Sequence, residues 1–346
     1  MRTLIIGGTG NISTAIVRQL CDSDNEVVLY NRGRSRGEWN ERKNVRVIHG
    51  DRNHYAEFEE QLKEQRFDCV IDMIGYKIED AQSDLRAFAG KCEQFIFCST
   101  VDVFTKPAPN YPVTERTEKK PAAAFPYAFQ KAAMEAEFER AAENGAFALT
   151  IVRPAATYND TSAPIGIMNS GLAVMRRIRH GRPVILMGDG MSLWASAHRD
   201  DVGKAIAEAV LNRKTYGRSY NIPGTECMTW KNYYGTVANA MGVNQPEFVT
   251  IPTDVLFAAA PSACSWCPIN FMYNNIFEFD AAVRDLGFRY TITWLEGVSR
   301  MIAYHDKLGN IDGSQDHPAY DPLIRLCVEF REKAGALANL DSVSRK

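Results

Sequence analysis

The sequence is short of long apolar runs. None approaches the roughly 20 residues that a membrane-spanning helix requires, so no transmembrane protein is expected. It is also short of charge imbalance. The 40 Lys and Arg stand against 42 Asp and Glu, and the net −2 offers no electrostatic footprint for a nucleic acid or a membrane surface. The start lacks the cationic, apolar and small-residue succession of an export signal, and a cytoplasmic protein is the expectation. No internal repeat or low-complexity segment interrupts the 346 residues, enough for one large or two intimate domains. Cysteine is present but not arranged. Cys264 and Cys267 form a single Cys-x-x-Cys with no second pair and no spaced histidines, so neither a metal site nor a redox motif is the leading reading. The other six (Cys21, Cys69, Cys92, Cys98, Cys227 and Cys327) are scattered, several in apolar strand-like runs, and read as small hydrophobes of a reducing compartment.

What is present begins at once. Arg2–Ile6 is an apolar, β-branched run. Gly7, Gly8, Thr9, Gly10, Asn11, Ile12 and Ser13 follow, and Thr14 to Leu20 carries Ile16, Val17 and Leu20 on one helical face. Strand, glycine turn and helix in that order form the opening of a dinucleotide-binding unit. The glycines permit a tight turn and close backbone approach, and the helix aims its first N–H groups at a pyrophosphate.

The second strand, Glu26–Tyr30, ends at Asn31, where an NAD-preferring site usually carries an acidic residue for the ribose hydroxyl. Arg32, Arg34 and Arg36 follow. Guanidinium forks bind a 2′-phosphate that a carboxylate would repel, so NADP is preferred over NAD. The third strand, Val45–Ile48, leads to Asp51, which either meets the adenine amino group or caps the helix starting near Tyr55. The fourth, Phe67–Ile71, runs into Asp72, Met73, Ile74 and Gly75, whose backbone would lie along the cofactor. The fifth, Gln94–Cys98, delivers Ser99 and Thr100 to the carboxyl end of the sheet, where such folds bind ligands. Strands alternating with helices predict an α/β fold: a doubly wound parallel Rossmann sheet with a smaller mixed domain.

Tyr127 and Lys131 lie four apart on a helix predicted from Pro126 to about Ala142, and so share a face. A free tyrosine, with a pKa of about 10, is a poor base at neutral pH. A neighbouring ammonium would lower that value and make the phenol a general acid/base for carbinol–carbonyl interconversion, with the Thr100 hydroxyl on the same substrate oxygen.

Together these residues resemble the short-chain dehydrogenase/reductase superfamily, extended type, in its branch of nucleotide-sugar epimerases and dehydratases. The resemblance runs from Arg2 to about Arg300. It implies that the glycine turn binds NAD(P), that Cys98 and Ser99 border the cofactor, and that Thr100, Tyr127 and Lys131 are catalytic. Ile151-Val152-Arg153-Pro154 resembles the family's Arg-Pro segment passing the nicotinamide. Gly188-Asp189-Gly190 with His198 to Val202, and Phe279 to Gly297, resemble its later segments. Asp102 stands where sugar dehydratases of the family carry an acidic residue after the threonine; its bland alternative is a loop cap. Trp194 replaces the arginine that grips a substrate diphosphate, and a tryptophan can stack on a sugar or base. His198 is weighed evenly between a pocket role and a structural one. The run Arg176, Arg177, Arg179, His180 reads as a solvated helix end, and the Leu323, Ile324, Leu326, Cys327 stripe as a docking helix.

The expected domains are a cofactor-binding core at 1–160, a return to it at 187–226, a substrate-binding part at 161–186 and 227–300, and an extension at 301–346. The resemblance implies hydride transfer at a secondary carbinol or carbonyl of a sugar, nucleotide sugar or sugar-like substrate, and a homodimer. The alternatives are a net NADPH-dependent reductase on a non-nucleotide substrate and a non-catalytic NAD(P)-binding sensor or RNA-associated protein.

Overall fold

A computed structural model describes residues 1–22, 25–34 and 42–337. The chain forms two compact units. The first comprises Met1–Asn159, Ala195–Cys227 and Ile276–Thr293, the second Asp160–Trp194, Met228–Asn275 and Trp294–Lys346.

The first unit is built on strands β1 (Arg2–Ile6), β2 (Glu26–Asn31), β3 (Val45–His49), β4 (Phe67–Asp72), β5 (Cys92–Cys98) and β6 (Ala148–Pro154), with Arg218–Ile222 as a seventh. The order across the sheet is Arg218–Ile222, β6, β5, β4, β1, β2, β3, and each neighbouring pair is parallel. Strand order therefore reverses between β1 and β4, the switch point at which such sheets open a crevice at their carboxyl ends. The doubly wound sheet expected from the sequence is the one found.

The pleat explains the near-continuous apolar runs. Ile5, Leu29, Ile71, Ile96 and Val152 enter one layer, and Ile6, Tyr30, Val70, Phe97 and Ile151 the other. Helix α1 (Asn11–Cys21) and the helix Arg199–Ala207 cover the first face. They approach so closely that a Cβ on Gly203 would lie 2.5 Å from that of Ala15. Helices α2 (Tyr55–Leu62), α3 (Ile78–Phe88) and α4 (Pro126–Glu143) cover the second through Phe58, Leu62, Phe88, Met134 and Phe138. The helix that begins at Arg199 is short. It stops at Ala207, and Leu211 takes a left-handed backbone, φ 54, with its N–H donated to Gln94.

In the second unit, Val184–Met187 pairs in parallel with Phe248–Ile251, and Leu193–Trp194 in antiparallel with Met228–Thr229. Residues 187–194, expected in the core, thus belong to the second unit. By contrast, Ala282, Leu286 and Phe288 pack into the sheet's first layer, so 276–293 belongs with the core. Thr229 caps the helix Trp230–Met241 by accepting from the Asn232 N–H. Tyr233 stacks on Trp294 with centroids 4.2 Å apart.

The basic run is not solvated. Arg177, 1% exposed, bonds Asp316 and Asp321 at 2.8 Å each and lies over Tyr320. Arg176 joins it on Asp316, and Arg179 takes Asp306 and Asp312. These partners lie more than 100 positions away, beyond the reach of any local pattern. The final helix, Tyr320–Ala336, buries Tyr320 and Leu323 but leaves Leu326 exposed, so only part of the expected stripe docks. No described helix is long and apolar enough to cross a membrane.

Candidate active site

The glycine turn has the geometry of a phosphate cradle. Gly7 holds φ +85, and a Cβ there would sit 2.5 Å from Ile74 Cγ2, while one on Gly8 would meet Leu29 at 2.7 Å. Thr9 is half-buried and Gly10 exposed. No side chain caps α1 at Gly10, so its first-turn N–H groups face an external acceptor. Asn11 ties this turn to the strand-end segment beyond β6: its Nδ2 donates to Thr157 O at 3.0 Å and its Oδ1 accepts from Asn159 at 2.6 Å. Ile12 packs half-buried against the first layer.

At the end of β2, Asn31 is 9% exposed, and its Oδ1 has no hydrogen-bond partner among the described residues. A buried acceptor without a donor is rare and asks for a ligand or water hydroxyl. Arg32 and Arg34 are exposed beside it; Arg36 lies outside the described residues. Asp51 does not cap α2. His54 holds the cap position, and the Asp51 carboxylate accepts from the Asn53 N–H at 3.0 Å and the Asn53 amide at 2.8 Å. Those two bonds hold its pKa below the usual range, with Arg32 adding to the effect.

One cluster was not foreseen. Arg52, 3% exposed, reaches Asp72 at 3.2 Å, Asp84 at 2.8 Å and Asp80 at 3.8 Å, and all three carboxylates are buried. Asp72 also accepts from the Ile74 N–H and Asp80 from the Tyr76 N–H, so the cluster fixes the segment Met73, Ile74, Gly75. A Cβ on Gly75 would lie 2.2 Å from Asp72 Oδ2, which is why glycine stands there. The available signal was Asp80 and Asp84, four apart on the same helical face as the buried Ala81 and Phe88. Burial pushes the Asp84 carboxyl well up; Asp72 adds to this and Arg52 opposes it.

At the end of β5 the structure brings Thr100, Asp102, Tyr127 and Lys131 together. Thr100 caps the short turn Val101–Val103 by accepting from the Asp102 N–H, so the threonine, not Asp102, is the cap. The Asp102 carboxylate instead pairs with Lys106 at 3.0 Å and lies 3.3 Å from Thr100 Oγ1. Tyr127 is half-buried, hydrogen-bonded to the Thr100 hydroxyl and flanked by Tyr76 and Phe125. Lys131, 2% exposed, donates to Cys98 O at 2.5 Å between the rings of Tyr76 and Phe97. Ser99 is buried beside it, with its side chain near the Glu135 carboxylate, whose pKa it helps to lower.

The expected lowering of the Tyr127 pKa is not what this geometry produces. Burial pushes the phenol up, the Asp102 carboxylate pushes further, and only the Thr100 hydrogen bond opposes them. Burial also lowers the Lys131 ammonium, against the pull of Cys98, Asp72 and Glu135.

Arg153 is placed differently from its expected role beside the nicotinamide. Its guanidinium, 1% exposed, makes a two-pronged bond with Glu135 at 2.7 and 2.8 Å and a third to Ser219. Burial raises Glu135, but Arg153 and Lys119 bring it below the usual range. The backbone of Arg153 and Pro154 is what remains for a ligand. His198 is fully buried; its Nδ1 accepts from the Asp200 N–H and caps the helix behind it. Trp194, in the second unit, is 5% exposed and stacked on Trp230 at 5.1 Å, so that ring face is already taken.

Three comparisons bear on this geometry. The profile of the NAD dependent epimerase/dehydratase family matches residues 3–223. The chain is 29% identical over 242 residues to 2′-dehydrokanamycin reductase of Streptomyces kanamyceticus, covering 70% of this chain and 67% of that protein. It is 26% identical over 259 residues to the chloroplast stem-loop binding protein of 41 kDa b of Arabidopsis thaliana, covering 72% and 65%. The match thus spans about two thirds of each relative's own length. Among solved structures, the UDP-glucuronic acid 4-epimerase of Bacillus cereus, in complex with UDP-glucuronic acid and NAD, shares the fold. Its TM-score is 0.69 at 16% identity, over 89% of this chain and all of that one.

Proposed function

This chain belongs to the NAD dependent epimerase/dehydratase family, and from that premise we propose that it catalyses hydride transfer between an NAD(P) cofactor and a secondary carbinol or carbonyl of a sugar or sugar-like substrate. The single observation that carries the reading is the convergence of Thr100, Tyr127 and Lys131 at the carboxyl end of β5.

The residues present fit a dinucleotide. The cradle at Gly7, Gly8, Thr9 and Gly10 and the uncapped start of α1 suit the pyrophosphate. The orphaned Asn31 Oδ1 suits a ribose hydroxyl, Arg32 and Arg34 suit a 2′-phosphate, and Asp51 suits the adenine amino group. Met73, Ile74 and Gly75, Cys98 and Ser99, and the Arg153–Pro154 backbone line the rest. The bound cofactor supplies a hydride acceptor or donor at its nicotinamide C4. Tyr127 would pass the proton to or from the substrate oxygen and Thr100 would orient that oxygen, while Lys131, now on Cys98 O, would help hold the nicotinamide ribose. Asp102 sets the charge beside the phenol. We assign the second unit to substrate binding. The scattered, largely buried cysteines support a cytoplasmic setting.

A second reading, net reduction of a carbonyl at the expense of NADPH, is favoured by three observations. Tyr127 is held protonated, as a proton donor must be. Arginines crowd the end of β2. Trp194 stands where a diphosphate-gripping arginine would be, which favours a substrate without a nucleotide and parallels the name of the kanamycin-type relative.

The deciding experiment identifies any nucleotide released on denaturation and titrates NADPH and NADH against apo-protein. Tightly held NAD supports a closed hydride cycle, as in an epimerase, and removes the reductase reading. Exchangeable binding with NADPH preferred supports net reduction. Binding of neither overturns the proposal.

A further inference from the structure

The second unit holds a pair of thiols that this function does not use. Cys264 and Cys267 sit in one helical turn. The Cys264 N–H bonds Ala260 O, and the Cys267 N–H bonds Cys264 O, each at 2.9 Å. Side chains three apart in such a turn share a face. The Cys267 thiol donates to the Cys264 sulfur, which also receives the Met168 backbone N–H. Met168 holds that position from a left-handed backbone, φ 65, rare outside glycine.

We propose that Cys264 and Cys267 form a redox-active dithiol that exchanges with small-molecule disulfides of the glutathione type. No group of three or more His, Cys, Asp or Glu among the described residues is arranged to hold a metal ion, which leaves the two sulfurs to each other. Geometry brings them near to bonding. Cβ atoms three apart lie about 5–6 Å from one another, and a disulfide needs about 3.5–4.5 Å, so the turn must tighten by only roughly 1–2 Å. The thiols are shielded but shallow: Ser262, Ala263, Ser265 and Trp266 around them are all exposed, so a local opening of one turn admits the oxidant.

The pair is polarised. Two hydrogen bonds hold the Cys264 thiol below its ordinary pKa against the effect of burial, whereas Cys267, as donor, is pushed well up. Cys264 therefore attacks as thiolate, forming a mixed disulfide and releasing one glutathione thiolate. Cys267 then loses its proton and attacks the Cys264 sulfur, expelling the second glutathione. The pair gives up two electrons and two protons, and one glutathione disulfide becomes two thiols.

Oxidation has a structural consequence. Cys267 opens the single-turn π-helix Cys267–Phe271. The Phe271 carbonyl accepts from Trp230 Nε1 at 3.1 Å and Ser192 Oγ at 3.0 Å, and its ring packs edge-on against Trp194. Tightening the first residue of that turn strains the anchor of the Trp194–Trp230 stack. Tryptophan emission should report it.

The test incubates the full-length protein in glutathione redox buffers, traps free thiols with N-ethylmaleimide, and measures the tryptic peptide 232–284, whose only cysteines are this pair. The expected result is a peptide about 2 Da lighter that resists alkylation, together with a change in tryptophan emission reversed by dithiothreitol. C267S should stall as a glutathione adduct on Cys264, and C264S should take up none. The proposal is overturned if both thiols of the wild-type peptide remain alkylable while the exposed Cys227 carries the glutathione. It is equally overturned if C264S and C267S are modified alike. The wild-type mass measurement needs neither variant to fold, and it is independent of hydride transfer.

Discussion

The carboxyl ends of β4 and β5 lie side by side in the sheet, yet they handle charge in opposite ways. At β4, three buried carboxylates surround Arg52, and every member bonds backbone or another member of the cluster. At β5, Lys131 spends its charge on one carbonyl and two aromatic faces, and Tyr127 leans on one threonine. The first arrangement is bonded mostly within itself, with Arg52 Nε and Asp84 Oδ2 left without a hydrogen-bond partner among the described residues, and it specifies a backbone conformation. The second is open, with proton-carrying groups held in place by contacts that a substrate or cofactor can replace. Burial and perturbed acidity occur at both ends, so neither marks an active site by itself.

The comparison breaks most sharply at Tyr127. Replacing it with phenylalanine should lower kcat by about 10²–10⁴-fold, the usual range for a lost acid/base group, with cofactor affinity unchanged in a fluorescence titration. Retained turnover would move Tyr127 to the structural side. At β4 the loss should appear as stability. Arg52→Met leaves three buried carboxylates without their cation and should cost about 3–5 kcal/mol in urea unfolding. A loss under about 1 kcal/mol would mean the cluster does not rely on its cation.

Asp84 sharpens the same point through pH. Its folded pKa is raised above the unfolded carboxylate value, so its contribution is complete below that value and is lost as pH rises through the folded one. Asp84→Asn keeps an acceptor for Arg52 and a donor for Asp72 without a proton to lose. The variant's stability relative to the parent should therefore grow as pH rises above the ordinary carboxylate range. A difference independent of pH would show that Asp84 is ionised.

Much of this contrast was invisible in the sequence, for physical reasons. The glycine turn, the pleated apolar runs and the Tyr127–Lys131 spacing are local, and the structure has the turn, the strands and the helix they announce. Arg153 finds Glu135 across 18 positions and Arg177 finds Asp316 across 139, and no periodicity encodes such pairings. Nor could the spacing show that Thr100, and not Asp102, bonds the short turn.

Asp102 offers a smaller effect. Its carboxylate raises the Tyr127 pKa, second only to burial, so Asp102→Asn should move the limb of the pH–rate profile that reports the phenol to lower pH. An unmoved limb would show that Lys106 already neutralises the carboxylate at 3.0 Å.

The smallest effect concerns cofactor choice. Arg32 and Arg34 are exposed, and exposed ion pairs contribute about 0.2–1 kcal/mol each. Replacing both with alanine should therefore raise the KM for NADPH by about two- to thirtyfold, an effect that shrinks further as salt is added. The KM for NADH should not move, because a ribose hydroxyl needs only the Asn31 acceptor, which the variant keeps. If both cofactors weaken equally, the arginines serve the pyrophosphate or the fold of the loop. If neither weakens, the open end of β2 is an NAD site in which the asparagine alone does the work of the usual carboxylate.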